Sequence, residues 1–210
     1  MKKDFCVFLD AGHGALDENG KYYVLGGGKK FDHQTGNFHD GSIFYEGVFN
    51  RIITQKVSFK LDQLQIPHID LHHAYLDYPL AQRVEKANYY DQYFKKSLLL
   101  SSHANAFNSK VRGYEVFTSK GKTASDGIAT NLFTQTQKLL GDQITYRKGL
   151  DDGDVDKEKN FYILKMSSMP AVLIEHLFFD NLEDAQLLMK EDIQDLFAEA
   201  QVRVILDYFL

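Results

Sequence analysis

The chain has 210 residues, 44% of them hydrophobic and 25% charged, which is the composition of an ordinary globular domain with one sizeable core. A net charge of −5 argues against a dedicated nucleic-acid-binding protein, which would need a basic surface. No segment approaches the about 20 apolar residues of a membrane span, so we expect none. The single cysteine, Cys6, lies in an apolar run and is interpreted as a small core residue.

The first half of the chain alternates apolar runs with helical patterns. Strands are predicted over residues 5–9 and 66–71, and a helix with one apolar stripe over residues 46–65. The stretch between the first strand and this helix, residues 14–45, is long and rich in glycine, and such connections are usually functional or mobile. A second helix is predicted to begin at Pro79, where the missing N–H of proline costs little.

The second half continues the same alternation of strands and helices. Strands are predicted over residues 98–100, 113–118 and 171–174, and helices over residues 123–140, 182–189 and 192–209. The charged run 151–159 indicates an exposed loop, and residues 161–164 form a short apolar segment. The pattern predicts a single α/β domain over residues 1–210, with a mostly parallel, twisted central sheet that carries helices on both faces.

Three of the predicted strands are followed closely by side chains that can bind a metal ion or move a proton. His13 follows the first strand, His103 follows residues 98–100, and Glu175 follows residues 171–174. In open α/β sheets, ligands bind outside the carboxyl ends of the strands. The sequence therefore predicts two imidazoles and a carboxylate at one crevice, an arrangement that indicates a metal-dependent hydrolase.

A hydrolytic zinc site commonly has three protein ligands and an open position for water. Glu46 is a suitable third ligand beside His13 and His103, because it begins the predicted helix and the helix dipole favours its ionised form. We expect Asp10 to orient the imidazole of His13. Glu175 is predicted to be the general base, with a pKa raised by the apolar residues before it. Two imidazoles and one carboxylate suit Zn²⁺ best.

Each of these residues also has an alternative explanation. His13 lies between two glycines and could belong to a tight turn, Glu46 could be an ordinary carboxylate at a helix N-terminus, and Glu175 could be a paired surface charge. Five further histidines are rival ligands: His33 and His39 in the glycine-rich stretch, and the group His68, His72 and His73. The spacing of His68 and His72 would suit one face of a helix, but Pro67 and Ile69 make that segment a poor helix, and we interpret the histidines there as surface or loop residues.

The candidate residues belong to short motifs that follow one another along nearly the whole chain. These motifs are Phe8-Leu-Asp-Ala-Gly-His13-Gly, Glu46 with Asn50, Leu80 with Arg83, Ala87 and Asn88, Ser101-Ser-His103-Ala-Asn105-Ala, Arg112-Gly-Tyr-Glu-Val-Phe117, and Pro170-Ala-Val-Leu-Ile-Glu175-His-Leu-Phe178 with Asn181. The ordered set resembles the zinc-dependent N-acetylmuramoyl-L-alanine amidases, a family that includes bacterial cell-separation, spore and phage-lysis enzymes.

The resemblance implies that His13, Glu46 and His103 bind zinc and that Glu175 is the catalytic base. It also implies a substrate, peptidoglycan, and a reaction, hydrolysis of the amide that joins the lactyl group of N-acetylmuramic acid to L-alanine of the stem peptide.

Two residues are assigned to substrate binding, Asn105 and Arg147. Stem peptides carry carboxylates, which arginine can bind through two hydrogen bonds, and Lys148 is a further candidate for this role. His176 departs from the family pattern, which often has a small residue such as glycine there. We favour a space-filling role for it over a second proton-transfer group.

The expected biological setting follows from the N-terminus, which has no long apolar stretch after Lys2 and Lys3 and therefore does not predict a signal peptide. We expect cytoplasmic synthesis and action on the cell wall after release, as in a phage or prophage endolysin. Leaderless secretion and the recycling of wall fragments are the alternatives. No sequence feature indicates the oligomeric state, and a monomer is the expectation.

Two other functions compete with the amidase prediction. One is a zinc peptidase, such as a carboxypeptidase, that acts on the same stem peptides. The other is a non-catalytic wall-binding module on the same fold, which the presence of Glu175 together with three candidate ligands disfavours.

Overall fold

The computed structural model of this chain describes residues 2–149 and 153–210. Its strands and helices, in chain order, are β1 (Lys3–Ala11), β2 (Lys30–Asp32), β3 (Ile43–Tyr45), α1 (Glu46–Gln63), β4 (His68–Asp70), α2 (Leu80–Asp91), β5 (Phe94–Asn105), β6 (Glu115–Thr118), α3 (Ala124–Leu140), β7 (Lys157–Glu158), α4 (Tyr162–Met166), β8 (Ala171–Phe178), α5 (Leu182–Leu188) and α6 (Glu191–Phe209).

Six strands form the central sheet in the order β4-β1-β5-β8-β6-β7. Strand β1 is parallel to β4 and β5, and β5 is parallel to β8, whereas β6 runs antiparallel to β8. The predicted α/β fold with a mostly parallel sheet is therefore confirmed. Because β1, β5 and β8 run in the same direction, their carboxyl ends lie at one edge of the sheet.

Helices cover both faces of the sheet, which explains why its strands are apolar on both sides. One core lies between the sheet and helices α1, α3 and α6, and it takes Val172 and Ile174 from β8. The other lies against α2 and α4, takes Leu173, and includes Cys6, which is only 1% exposed. Successive residues of β8 thus alternate between two cores, as the geometry of a strand requires.

The structure differs from the predicted elements at several places. Strands β1 and β8 extend beyond the predicted residues 5–9 and 171–174, and the short apolar segment 161–164 overlaps helix α4. Strand β5 is longer than the predicted residues 98–100, because its polar ends also pair with β1 and β8. The glycine-rich stretch 14–45 contains a short hairpin of β2 and β3. The run 151–159, predicted to be a loop, contains β7 paired with β6; residues 151 and 152 lie outside the described residues.

The helices agree closely with the sequence prediction. Helix α3 begins after Thr123, whose side chain accepts a hydrogen bond from Ser125 N, while Asp126 bonds back to Thr123 in a capping box. Helix α2 begins directly after Pro79, as predicted. Within the described part of the chain, no helix has both the length and the apolar character needed to cross a membrane.

Candidate metal centre

His13, Glu46 and His103 meet at the carboxyl edge of β1 and β5. Glu46 Oε1 lies 3.4 Å from His13 Nε2 and 3.1 Å from His103 Nδ1. One ligand atom from each residue lies within 4.8 Å of the other two, and no other such group of three occurs in residues 2–149 and 153–210. The structure therefore brings together the three predicted ligands and no cluster of the rival histidines.

His13 adopts a left-handed backbone conformation with φ of 60°, which is uncommon for a residue with a side chain. Arg83 of α2 contacts this backbone, because its Nη2 donates to His13 O at 3.2 Å and its Nη1 donates to Ala11 O at 2.6 Å. The same guanidinium pairs with Asp10 Oδ1 at 2.6 Å, and Ser101 Oγ donates to Asp10 Oδ2 at 2.7 Å. The prediction that Asp10 orients the His13 imidazole is therefore wrong: Asp10 orients Arg83, which supports the His13 backbone.

Glu46 is the first residue of α1, and its carboxylate is buried between the two imidazoles. Asn50 Nδ2, one helical turn later, donates to Glu46 Oε1 at 3.4 Å and to Gly12 O at 3.0 Å. Burial alone would raise the pKa of Glu46, but the hydrogen bond from His103 and the charges of His13, His103 and Lys29 hold it below its usual value. The carboxylate is thus kept in the ionised form that a metal ligand needs.

The two imidazoles differ in their ionisation. Burial lowers the pKa of His13 to about 4, although the charge of Glu46 acts to raise it. Burial also acts to lower the pKa of His103, but the hydrogen bond and the charge of Glu46 raise this pKa above its usual value. Glu46 thus favours the protonated form of His103, whereas His13 is already neutral at pH 7, the form that a metal ligand needs.

The donor set fits a zinc ion. Two imidazole nitrogens and one carboxylate oxygen are ligands that zinc takes in hydrolytic sites. Glu46 Oε2 is buried and has no hydrogen-bond partner among the described residues, although Lys29 Nζ lies 3.8 Å away. An uncompensated carboxylate oxygen in such a place is costly unless a cation can bind it.

Glu175 lies in β8, directly beside His103 of β5 on one side and Glu115 of β6 on the other. Residues paired in this way extend their side chains on the same face of a sheet, so Glu175 borders the candidate metal centre without belonging to it. Its Oε2 is buried with no hydrogen-bond partner in the described residues. Burial, together with the charges of Glu46 and Glu115, raises the pKa of Glu175 to about 8.

His176, the next residue of β8, extends to the opposite face of the sheet. Its ring packs against Phe49 at 5.6 Å, Tyr114 at 6.1 Å and Phe197 at 4.7 Å between ring centroids. The side chain is 1% exposed, and burial lowers its pKa to about 3. These contacts agree with the predicted space-filling role and separate His176 from the crevice that Glu175 borders.

Asn105 and Arg147 line a pocket of about 270 Å³ beside β6. Both contact the buried carboxylate of Glu115: Arg147 Nε pairs with its Oε1, and Asn105 Nδ2 donates to its Oε2 at 3.1 Å. Lys157 Nζ binds the same Oε1 at 2.5 Å. Lys148 is placed elsewhere, with its Nζ 6.0 Å from the ring centre of Phe133, and does not line this pocket.

Sequence reasoning gave no role to three residues that shape this region: Arg83, Glu115 and Lys157. Arg83 and Glu115 are buried to 2% and 3% exposure, which is rare for charged side chains unless they are paired. The sequence does contain a signal for a buried role of Arg83, because its motif with Leu80 and Ala87 places an arginine on the buried side of a helix. Glu115 lies at an alternating position of a predicted strand, and no local signal marks its partners.

Comparison with known proteins gives a consistent result. The family model for N-acetylmuramoyl-L-alanine amidase matches residues 7–207. The endolysin of Bacillus phage SPP1 is 29% identical over 202 residues, which are 95% of this chain and 64% of the endolysin. LytC of Bacillus subtilis, an N-acetylmuramoyl-L-alanine amidase, is 28% identical over 92% of this chain and 33% of its own length. The chain thus spans less than two thirds of these relatives.

Solved structures agree with the family match. The amidase AmiC2 of Nostoc punctiforme is 25% identical with a TM-score of 0.74, covering 99% of this chain and 98% of that one. An N-acetylmuramoyl-L-alanine amidase from Clostridium difficile 630 is also 25% identical, with a TM-score of 0.73 and coverage of 98% and 96%. The ordered motifs, the sheet and the family match lead to one conclusion: this chain belongs to the N-acetylmuramoyl-L-alanine amidase family.

Proposed function

We propose that this protein is a zinc-dependent peptidoglycan hydrolase that cleaves the amide between N-acetylmuramic acid and L-alanine of the stem peptide. The main support is one relationship: Glu175 lies in the strand next to His103, close to the His13–Glu46–His103 group, and its carboxylate lacks a hydrogen-bond partner on Oε2 in the described residues. A metal site with a separate, available carboxylate beside it is the arrangement that metal-assisted amide hydrolysis needs.

In this proposal His13, Glu46 and His103 would hold the zinc ion. When bound, zinc lowers the pKa of a water molecule to about 7 and polarises a substrate carbonyl. Two neighbouring residues hold the candidate ligands in position: Arg83 supports the His13 backbone, and Asn50 links Glu46 to Gly12.

Glu175 performs the proton transfers. Its carboxylate accepts a proton from the attacking water as the new carbon–oxygen bond forms at the lactyl carbonyl. It then gives this proton to the alanine nitrogen as the carbon–nitrogen bond breaks. The products are a lactyl carboxylic acid on the sugar and a stem peptide with a free α-amine.

The stem peptide extends from the scissile bond toward Asn105 and Arg147, the residues proposed for substrate binding. Both line the pocket beside β6, and β6 pairs with the strand that carries Glu175. The similarity to the SPP1 endolysin over 95% of this chain supports an endolysin acting on the wall after release.

A digest of purified peptidoglycan tests this function. Mass spectrometry of the soluble products should show intact stem peptides that begin with a free L-alanine amine, and glycan strands that retain their lactyl acids. Treatment with a chelator should abolish the release, and added zinc should restore it. Cuts found only between peptide residues would instead indicate the alternative function, a zinc peptidase. No cleavage by the zinc-loaded protein would indicate a wall-binding module.

A further inference from the structure

Among the described residues, the pocket beside β6 is lined by three cationic side chains and one carboxylate. We call it the basic pocket, after its three cationic side chains, Arg147, Lys157 and Lys159; its carboxylate is Glu115. Lys157 and Lys159 come from the charged run that the sequence assigned to an exposed loop, and the pairing of β7 with β6 brings them here.

We propose that the basic pocket selects stem peptides whose second residue carries a free carboxylate over those in which this group is an amide. The inference rests on the proposed amidase function, because it takes the substrate to be a muramyl peptide. It adds the substrate group that is recognised and assigns Lys157 and Lys159 to that recognition.

The charges within the pocket leave a place for an anion. Glu115 is 3% exposed, and its Oε1 binds both Arg147 and Lys157, so these two cations are held in fixed positions. One carboxylate balances only one of them. The Arg147 side chain remains 40% exposed, and within the described residues its side-chain hydrogen bond is made through Nε, to Glu115, and not through its two terminal amino groups. These donors are available for a second carboxylate, which arginine binds well in a two-pronged arrangement.

The walls of the pocket suit a peptide. Phe107 and Phe178 contribute apolar surface, and the Arg147 guanidinium lies 5.6 Å from the ring centre of Phe178. An aromatic ring beneath a guanidinium restricts its motion and keeps its donors directed outward. The pocket can thus contact the apolar part of a peptide residue while the cations bind its acidic group.

The position of the pocket identifies the second residue as the one that is recognised. Glu115 is paired directly with Glu175, and paired residues on adjacent antiparallel strands have Cβ atoms about 5 Å apart. A peptide advances about 3.5 Å per residue when extended. When the alanine of the stem peptide lies at Glu175, the next residue of the stem peptide therefore lies beside Glu115, within reach of Arg147.

An amide in place of the carboxylate would remove the charge and turn one of its two acceptors into a donor. That donor would face the donors of Arg147 and Lys159, which cannot accept a hydrogen bond. Hydrogen bonds to charged groups are stronger than neutral ones, and we expect kcat/KM for the acid to exceed that for the amide by about tenfold.

The test uses two muramyl peptides that differ only in a carboxylate or a carboxamide at the second residue. kcat/KM is measured for both with the zinc-loaded wild type, with Lys159→Gln and with the double variant Lys157→Gln/Lys159→Gln. We expect the preference for the acid to fall about threefold in the single variant and further in the double variant, mainly through KM. Lys138→Gln, an exposed lysine on α3, is the matched control and should keep the full preference.

Equal kcat/KM for the acid and the amide in the wild type would overturn the inference, and so would a preference that survives in the double variant. A second arm keeps the inference separate from the proposed function. The acid and amide forms of the free dipeptide are titrated into the wild type and Lys159→Gln, and binding is followed by NMR chemical shifts.

If neither muramyl peptide is cleaved, the proposed function fails. The NMR titration with the free dipeptides then tests the carboxylate site by itself. Tighter binding of the acid dipeptide by the wild type, weakened in Lys159→Gln, would still support the basic pocket as a carboxylate site. Equal binding of both forms, or no binding, would overturn it.

Discussion

The imidazole of His103 occupies the space that a side chain on Gly12 would fill. A Cβ atom built on Gly12 would overlap Cε1, Nδ1 and Nε2 of the His103 ring. Gly12 N also donates to Ser102 O at 2.9 Å, so the backbone at Gly12 is fastened to the strand that carries His103 and cannot easily withdraw. The glycine before His13 is thus needed for the position of the other histidine.

Gly12→Ala should therefore weaken zinc binding, because the new methyl group displaces the His103 ring from Glu46. We expect a loss of affinity of about 10- to 100-fold, the range found when the support of a metal ligand is removed. Competition with a chromogenic chelator measures it. Gly127→Ala on α3 is the matched control, since its Cβ would meet no atom within 4 Å and alanine favours a helix. Unchanged zinc affinity in Gly12→Ala would show that the ring can move without cost.

Glu175→Gln should separate proton transfer from metal binding. The variant keeps the shape of the side chain and all three candidate ligands, so its zinc content should equal that of the wild type. Its kcat should fall by about 10²- to 10⁴-fold, the usual contribution of a general base. His103→Ala, by contrast, should lose zinc and activity together. Wild-type turnover by Glu175→Gln would contradict the role proposed for this carboxylate.

Zinc binding should release protons, and Glu175 should contribute to the release. Burial raises the pKa of Glu175 to about 8, so the metal-free protein holds a proton there at pH 7. A nearby positive charge favours the ionised carboxylate and expels this proton. Calorimetry in buffers of different ionisation enthalpy counts the protons released at pH 7. Glu175→Gln should release fewer than the wild type at pH 7 but the same number at pH 9, where the wild-type carboxylate is already ionised. An identical release at pH 7 would contradict the prediction.

Asp10→Asn should lower the free energy of unfolding by about 3–5 kcal/mol, because it leaves the buried Arg83 guanidinium without its closest carboxylate. Burial pushes the pKa of Asp10 upward, but the charge of Arg83 and the hydrogen bond from Ser101 hold it below its usual value. In acid the unfolded chain therefore binds a proton first, at a pKa of about 3.9, and the contribution of Asp10 is lost as the pH falls through the folded pKa.

Urea unfolding at several pH values checks both statements about Asp10. The difference between wild type and Asp10→Asn should be full at pH 7 and should shrink as the pH falls below about 4. Asp4→Asn is the control, because Asp4 pairs with Lys95 at the surface, and its stability should match the wild type. A difference that stays constant down to the lowest pH would contradict the ion pair as the cause.

Much of the site was predictable because side chains in or just beyond the carboxyl-terminal halves of parallel strands lie near one edge of the sheet. His13, His103 and Glu175 each follow an apolar run, and the direction of the strands alone brings them together. Glu46 was accessible by a different signal, its place at the start of an amphipathic helix. Its pairing with both imidazoles depends on how that helix packs on the sheet, which the family resemblance supplied.

The supporting contacts were not predictable from local pattern. Asp10 comes within three residues of His13 in the chain, and proximity in sequence favoured a direct contact. The structure joins Asp10 instead to Arg83, 73 residues away, because α2 packs on the face of β1 that Asp10 occupies. The position of Lys157 was not predictable for a related reason. Strand β7 has two residues, too few to show the alternating pattern of a strand, and only its pairing with β6 defines it.

The three candidate ligands come from parts of the chain that are otherwise joined only by packing: the turn after β1, the first residue of α1 and the end of β5. A metal ion held by all three would therefore act as a staple between helix and sheet, closing long loops of chain as a disulfide does in other proteins. Loss of the ion would loosen the first turn of α1 as well as stop catalysis, and the same event would expose the protein to proteolysis. A single ion would thus govern both the activity and the lifetime of the protein.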